Sequence, residues 1–158
     1  MSYYCGVNLD EILNFVAVTE SIATAGQPTE VQLRELRICG FEAIVNLGLL
    51  DPRYCLSNEA DTVAELGMEY HAIPVDFHMP TQSDFDRFRT TLRGLQGRKV
   101  LVHCAMNYRV ACFMALYGEA ELGWTREQAD AQMKRLWEPN VVWAQFMTDL
   151  RNSLPSSD

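Results

Sequence analysis

Residues 99–122 read KVLVHCAMNYRVACFMALYGEAEL, and the pattern changes period part-way. The run 99–103 is apolar, as a buried strand is. His103 and Cys104 follow, four residues pass, and Arg109 opens a helical stretch over 109–121. A strand that turns directly into a helix is the repeating unit of a parallel α/β sheet. The turn at the carboxyl end of such a strand is where open α/β sheets place their ligands.

Outward from this stretch the unit recurs. SIATA at 21–25 is a first strand, closed by Gly26-Gln27-Pro28. Thr29 then caps a helix with Gln32 three residues on, the spacing of a capping box. Val31, Leu33, Leu36 and Ile38 supply its apolar positions, and Gly40 ends it. FEAIVNLG at 41–48 is the second strand, followed by a helix near 58–66 that Gly67 stops. MEYHAIPV at 68–75 is the third strand, and a helix over 82–95 carries Phe85, Phe88, Leu92 and Leu95 close to one face. Beyond 109 the chain is helical over 109–121, 125–136 after a Thr125 cap, and 139–152 with Pro139 in the first turn. The order predicts a three-layer α/β fold: a mostly parallel central sheet of about four to five strands flanked by helices, with a helical C-terminus. Without a repeat or linker, residues 1–158 read as one domain, with 152–158 as a frayed tail. Trp124, Trp137 and Trp143 fall in the three C-terminal helical segments, at spacings suited to docking on the sheet. Val141, Val142 and Phe146 offer an apolar patch that could serve a homodimer.

Composition narrows the function. Of 158 residues, 48% are hydrophobic and 22% charged, a globular balance rather than a disordered one. With 21 acidic against 13 basic residues the net charge is -8. That disfavours nucleic acid, whose binding needs clustered Lys and Arg, and it disfavours anionic membrane. Five cysteines, at 5, 39, 55, 104 and 112, include no CxxC pair and read as free thiols in a reducing compartment. MSYYCGVNLDEIL lacks the charged and apolar regions of a signal peptide, and no run of about 18 apolar residues exists to span a bilayer, so the expected location is cytoplasmic.

Chemistry concentrates after the fourth strand. Backbone N–H groups of 105–109 can form a nest at the positive end of the following helix. Such a dipole beside a guanidinium lowers a thiol's pKa into a range of roughly 3.5–7.5. Arg109 can hold an oxyanion with two parallel donors, which Lys cannot. Cys104, Arg109 and the intervening Ala105, Met106, Asn107 and Tyr108 therefore read as an anion-binding, thiolate-based site. Cys112 reads as core, and Cys55 as a candidate redox partner of Cys104. Asp76 follows a strand directly and projects from the same sheet edge, in a loop 76–81 long enough to close over a pocket. It is the leading proton donor, with His78 as substitute, Asp51 as a weaker candidate, and a plain turn-initiating role for Asp76 as the alternative. His103 reads as a residue that orients the loop through hydrogen bonds. The three histidines and Cys104 have no metal-ligand spacing, so neither metal nor other cofactor is expected.

The segment HCAMNYRV after KVLVH resembles the phosphate-binding loop of cysteine-dependent protein tyrosine and dual-specificity phosphatases. IATAGQPTEVQLRELRICGFEAIVNLG resembles the opening of the small bacterial phosphatase-like domains of that superfamily, and MEYHAIPVDFHMPT the segment with their acid loop. The resemblance spans roughly residues 20–120. It implies a phosphorylated substrate or inorganic oxyanion as partner and a cysteinyl-phosphate mechanism. In it Cys104 attacks phosphorus, the loop amides and Arg109 hold the oxygens, and an acid protonates the leaving group.

Two departures stand out. The superfamily places five residues between Cys and Arg, usually with glycine, and Ser or Thr after the Arg. Here four residues intervene, none is glycine, and Val110 follows Arg109. Asn107 is the residue best able to take a positive φ. The shorter loop also resembles that of rhodanese-type sulfurtransferases, and a module that binds phosphate without turnover is the third reading.

Overall fold

Near-continuous apolar runs form the three inner strands, buried on both faces as parallel strands between helical layers are. They are β2 (Ile22–Ala25), β3 (Ala43–Asn46) and β5 (Val100–His103). The computed structural model describes residues 5–53 and 55–154. A two-residue strand β1 (Val16–Ala17) and the half-buried β4 (Glu69–Ala72) form the edges of one five-stranded sheet, in the order β1-β2-β5-β3-β4. Only the β1–β2 pair is antiparallel.

Crossover handedness assigns the helices to layers. The chain passes from β2 to β3 through α1 (Glu30–Ile38), and from β3 to β4 through α2 (Glu59–Glu65), moving the same way across the sheet. It returns from β4 to β5 through α3 (Gln82–Gly94) in the opposite direction. Right-handed crossovers put helices of opposite travel on opposite faces. The two cores agree: Leu33, Leu36 and Val63 pack with Phe41, Ile44 and Leu101, while Phe85, Phe88 and Leu92 pack with Val45, Val102 and the C-terminal helices. Those helices are α4 (Tyr108–Glu121), α5 (Arg126–Lys134) and α6 (Val141–Ser153). Ten residues of α4 are buried, so it is the central helix of its layer and apolar nearly all round. Gly118 on α4 is where the Trp124 ring lies against the backbone; a Cβ there would sit 1.8 Å from the indole Cε3.

Several boundaries differ from the sequence reading. The predicted strands 41–48 and 68–75 extend into loop, because apolar loop residues such as Ile73 and Val75 pack beside the sheet without laddering for its full length. β1 and a 3-10 turn at Leu9–Glu11 are too short to carry a readable period. Trp124 and Trp137 lie in connections rather than helices, and Pro139 precedes the Asn140 N-cap of α6 instead of occupying its first turn. The expected frayed tail is helical through Ser153, and Leu154 packs on the core; residues 155–158 lie outside the described residues. Val141 and Val142 are exposed, whereas Phe146 packs on Phe113 and Trp143.

The cysteines also need correcting. Cys5 and Cys39 form a disulfide, with their Cα atoms 5.1 Å apart, while Cys55, Cys104 and Cys112 are free. Spacing alone cannot reveal such a pairing, and it removes the free-thiol argument for a reducing compartment. No described helix is long and apolar enough to cross a membrane.

Trp143 joins the core to the site. It is fully buried against Phe113, and its indole N–H donates to the Phe77 carbonyl at 2.8 Å. Trp143→Ala is expected to cost about 3–5 kcal/mol of stability, read from the urea midpoint at constant m-value.

Candidate active site

β5 lies between β2 and β3, so its carboxyl end opens at the middle of the sheet with Ala25 and Asn46 abreast of His103. Cys104 follows, 1% exposed, and its N–H donates to Ala25 O at 3.4 Å. The turn closes at Asn107, the N-cap of α4, which adopts φ +72°, ψ 8° as its residue type anticipates. Its buried carboxamide donates to Asn14 O at 2.8 Å and to Thr24 Oγ1 at 3.0 Å, fixing this left-handed residue to the sheet.

The loop's carbonyls are all committed. Ala105 O accepts from the Gln27 N–H at 3.0 Å, Met106 O from Asn14 Nδ2 at 2.9 Å, and Asn107 O from the Ala111 N–H at 2.9 Å. Among the described residues, none of the N–H groups of 105–107 donates to another protein group. With the carbonyls bound to the scaffold and one residue left-handed, these amides have the character of an anion nest at a helix N-terminus. Gly26 permits the approach, since a Cβ there would meet Ala105 O at 2.7 Å.

Arg109, 8% exposed, joins this loop to the segment after β4. One guanidinium N–H donates to Val75 O at 2.9 Å, and its Cζ lies 5.9 Å from the centre of the Phe77 ring. Asp76, between those two contacts, is exposed. Its carboxylate accepts from the His78 N–H at 2.9 Å and its carbonyl from the Met79 N–H at 3.1 Å. The residue thus does begin a turn, the plain alternative for it, and does so at the rim of the loop. The Tyr108 ring stacks on Trp137 at 4.8 Å and 9°, and Trp137 lies 5.7 Å from Phe77.

These pieces enclose one cleft of about 730 Å³. Cys104, Ala105, Met106, Tyr108, Arg109, Asp76 and His78 all line it, as do Cys55, Asp51 and Arg53. Asp51 is a poor proton donor here, because hydrogen bonds from Arg53 hold its carboxyl below the usual aspartate range. Burial, with the charges of Glu59 and Asp51, pushes the Cys55 thiol up. The Cys112 thiol is pushed up to about 12, chiefly by burial, as suits a core residue.

His103 and Asn107 stand behind the cleft, and His103 has a partner that the sequence does not advertise. Its Nε2 lies 2.7 Å from Glu59 Oε2 and its Nδ1 3.2 Å from Cys104 O. Glu59 reads in sequence as an ordinary acidic residue in a helical first turn, yet it is 4% exposed. Burial raises its carboxyl, but hydrogen bonding and charge from His103, with hydrogen bonds from Gln27 and Tyr70, outweigh this and hold it below the ordinary glutamate range. Asn14, Gln27 and Glu59 are the supporting residues that sequence reasoning missed; only Gln27, beside the Gly26-Pro28 turn, carried any local signal. Among the described residues no cluster of His, Cys, Asp or Glu could hold a metal ion.

No family model and no curated protein sequence matches the chain. Solved structures do. A "Putative phosphatase (DUF442)" from Shewanella putrefaciens CN-32 superposes with a TM-score of 0.82 at 25% identity, over 93% of this chain and 94% of that one. The fold is that of the cysteine-dependent protein tyrosine and dual-specificity phosphatases. Two further members of this phosphatase superfamily align over most of their length. A mutant form of Tk-PTP gives 0.73 at 22% identity, covering 88% of this chain and 95% of that one. PTPMT1 in complex with PI(5)P gives 0.74 at 15% identity, covering 88% and 95%.

Proposed function

We propose that the protein is a phosphomonoester hydrolase that works through a cysteinyl-phosphate on Cys104. The observation that carries this reading is the convergence of Cys104, Ala105, Met106, Tyr108, Arg109 and Asp76 on one cleft. In the first step the Cys104 thiolate attacks phosphorus and the P–O bond to the leaving group breaks. Asp76 gives its proton to the departing oxygen as that bond fails. In the second step water attacks phosphorus and gives a proton to Asp76, the S–P bond breaks to return the Cys104 thiolate, and inorganic phosphate leaves. Loop amides and Arg109 stabilise the equatorial oxygens through both steps.

The cleft wall bears on the leaving group. Leu13, Leu49, Met106, Phe77 and Tyr108 line it, which suits an aryl or otherwise apolar alcohol. Asp76→Asn is expected to lower kcat about 100-fold on alkyl phosphates. On an aryl phosphate with an acidic phenol the loss shrinks, because that leaving group needs no proton. Steady-state kinetics across leaving groups of graded acidity checks this, and an equal loss on every substrate would remove Asp76 from proton transfer.

The four-residue spacing from Cys104 to Arg109 favours a second reading, sulfur transfer. It predicts that Cys104 gains one sulfur atom from thiosulfate or a persulfide donor, detectable by intact-mass measurement.

A further inference from the structure

Among the described residues only two that are not glycine adopt a positive φ, Asn14 at +52° and Asn107 at +72°. They are joined twice. Asn107 Nδ2 donates to Asn14 O at 2.8 Å, and Asn14 Nδ2 donates to Met106 O at 2.9 Å. The second acceptor is the carbonyl of the peptide unit whose N–H belongs to Asn107. A left-handed residue other than glycine persists only where its surroundings hold it. Here each of the two helps to hold the other.

The Asn107 carboxamide shows what the contact is worth. Its Nδ2 also meets Thr24 Oγ1 at 3.0 Å, while its buried Oδ1 has no partner among the described residues. An unpaired buried acceptor is costly. Turning the amide over would set Oδ1 against the Asn14 carbonyl, so donation to Asn14 outweighs that cost.

We propose that Asn14 is a positioning residue of the nucleophile loop: it keeps the Asn107 N–H turned into the nest as an oxyanion donor. The 106–107 peptide is trans, so its carbonyl and its N–H point to opposite sides. Held by Asn14, the Met106 carbonyl stays on the scaffold side of the loop. Released, the peptide can turn over and put an acceptor where an oxyanion needs a donor. The loop has no glycine and is one residue short of the five-residue loops it resembles, so each remaining amide counts for more.

Asn14 is itself rigidly seated, as a residue that aims another must be. Ile12 before it is buried, and Val16 after it pairs with Thr24 in the sheet. The carbonyl of Leu13 accepts from the Gly26 N–H at 2.7 Å, and that of Glu11 from Gln32 Nε2 at 3.3 Å. Leu13 lines the cleft directly. The inference rests on the reading of this loop as an oxyanion site, though not on turnover.

The test is tungstate affinity of the full chain by calorimetry, with nitrogen-15 relaxation dispersion at the Asn107 amide. Asn14→Gly tolerates the positive φ and keeps the carbonyl that Asn107 uses, so it deletes only the side-chain donor. It is expected to weaken tungstate binding about five- to tenfold, the effect of one lost neutral hydrogen bond. Dispersion is expected at Asn107 in this variant and none in the wild-type chain. Asn14→Asp keeps the shape and exchanges donor for acceptor, so its loss should be at least as large. That loss should persist in about 1 M salt, where the Debye length is about 3 Å and the added charge is screened. A merely structural Asn14 would shift the urea midpoint and leave tungstate affinity and the Asn107 amide unchanged. Wild-type affinity in both variants would overturn the inference, as would dispersion at Asn107 in the wild-type chain. A wild-type chain that binds no tungstate defeats this inference and the phosphatase reading together. Absent hydrolysis with the expected tungstate and NMR results defeats only the phosphatase reading.

Discussion

Cys104→Ser is expected to hydrolyse an aryl phosphate at least about 10⁴-fold more slowly than the wild-type chain. That is about 5.5 kcal/mol of lost transition-state stabilisation. The size follows from what surrounds the side chain. A serine hydroxyl is nucleophilic only beside a base that takes its proton. The imidazole next to Cys104 in sequence lies behind the loop with its nitrogens against Glu59 and the Cys104 carbonyl. Asp76 lines the cleft from a turn, and the proposal assigns it to the leaving group rather than to the nucleophile. The substitution exchanges one buried small group for another, so the loop's carbonyl anchors survive and oxyanion binding should persist. The measurement is kcat on the aryl phosphate together with vanadate affinity. Retained turnover would remove Cys104 from the chemistry.

Arg109→Ala is expected to lower kcat/KM by about 10²- to 10³-fold. Two losses combine. In the proposed reaction the guanidinium is the fixed cation of the nest, and an ammonium cannot reproduce its parallel donors, so Arg109→Lys should recover little. The same side chain holds Val75 O at 2.9 Å, immediately before Asp76. Its removal therefore frees the acid loop at its base, and the Asp76 contribution should weaken in Arg109→Ala. A double-mutant cycle between Arg109→Ala and Asp76→Asn then gives less than additive losses. Strict additivity would show that the Val75 contact has no catalytic consequence. If the chain binds oxyanions without turnover, Arg109→Ala instead removes that binding, and unchanged vanadate affinity would contradict both readings.

The fold and much of the lining of the cleft were legible because both are written locally. Strand 100–103 passing into Cys104 and a helix gives the topology and the ligand end at once. The absence of glycine from the loop pointed to Asn107 for the left-handed turn, and that residue adopts it. Asp76, singled out from its place directly after the third predicted strand, lines the same cleft as Cys104. The support behind the loop was not legible, because its contacts join distant residues: His103 to Glu59 across 44 positions, Asn107 to Asn14 across 93. Neither Glu59 nor Asn14 differs in sequence context from a solvated residue. Trp124 and Trp137 look helical by proximity to helical patterns, yet they fill the gaps between helices, where a large ring covers exposed helix ends. The Cys5–Cys39 bridge was hidden for the same reason, being a contact between the N-terminal segment and the C-cap of α1.

The loop length is where the account is most exposed. One residue fewer between Cys104 and Arg109 removes a backbone donor from the nest seen in five-residue loops. The direct measurement is acid quench of the Asp76→Asn chain during turnover of an aryl phosphate, followed by mass spectrometry of the Cys104 peptide. Asp76 assists breakdown of the intermediate more than its formation from an acidic phenol, so the covalent species accumulates in this variant. The account predicts one phosphoryl group on Cys104, absent when Cys104 is Ser. Hydrolysis that proceeds with Cys104 unmodified throughout would contradict it.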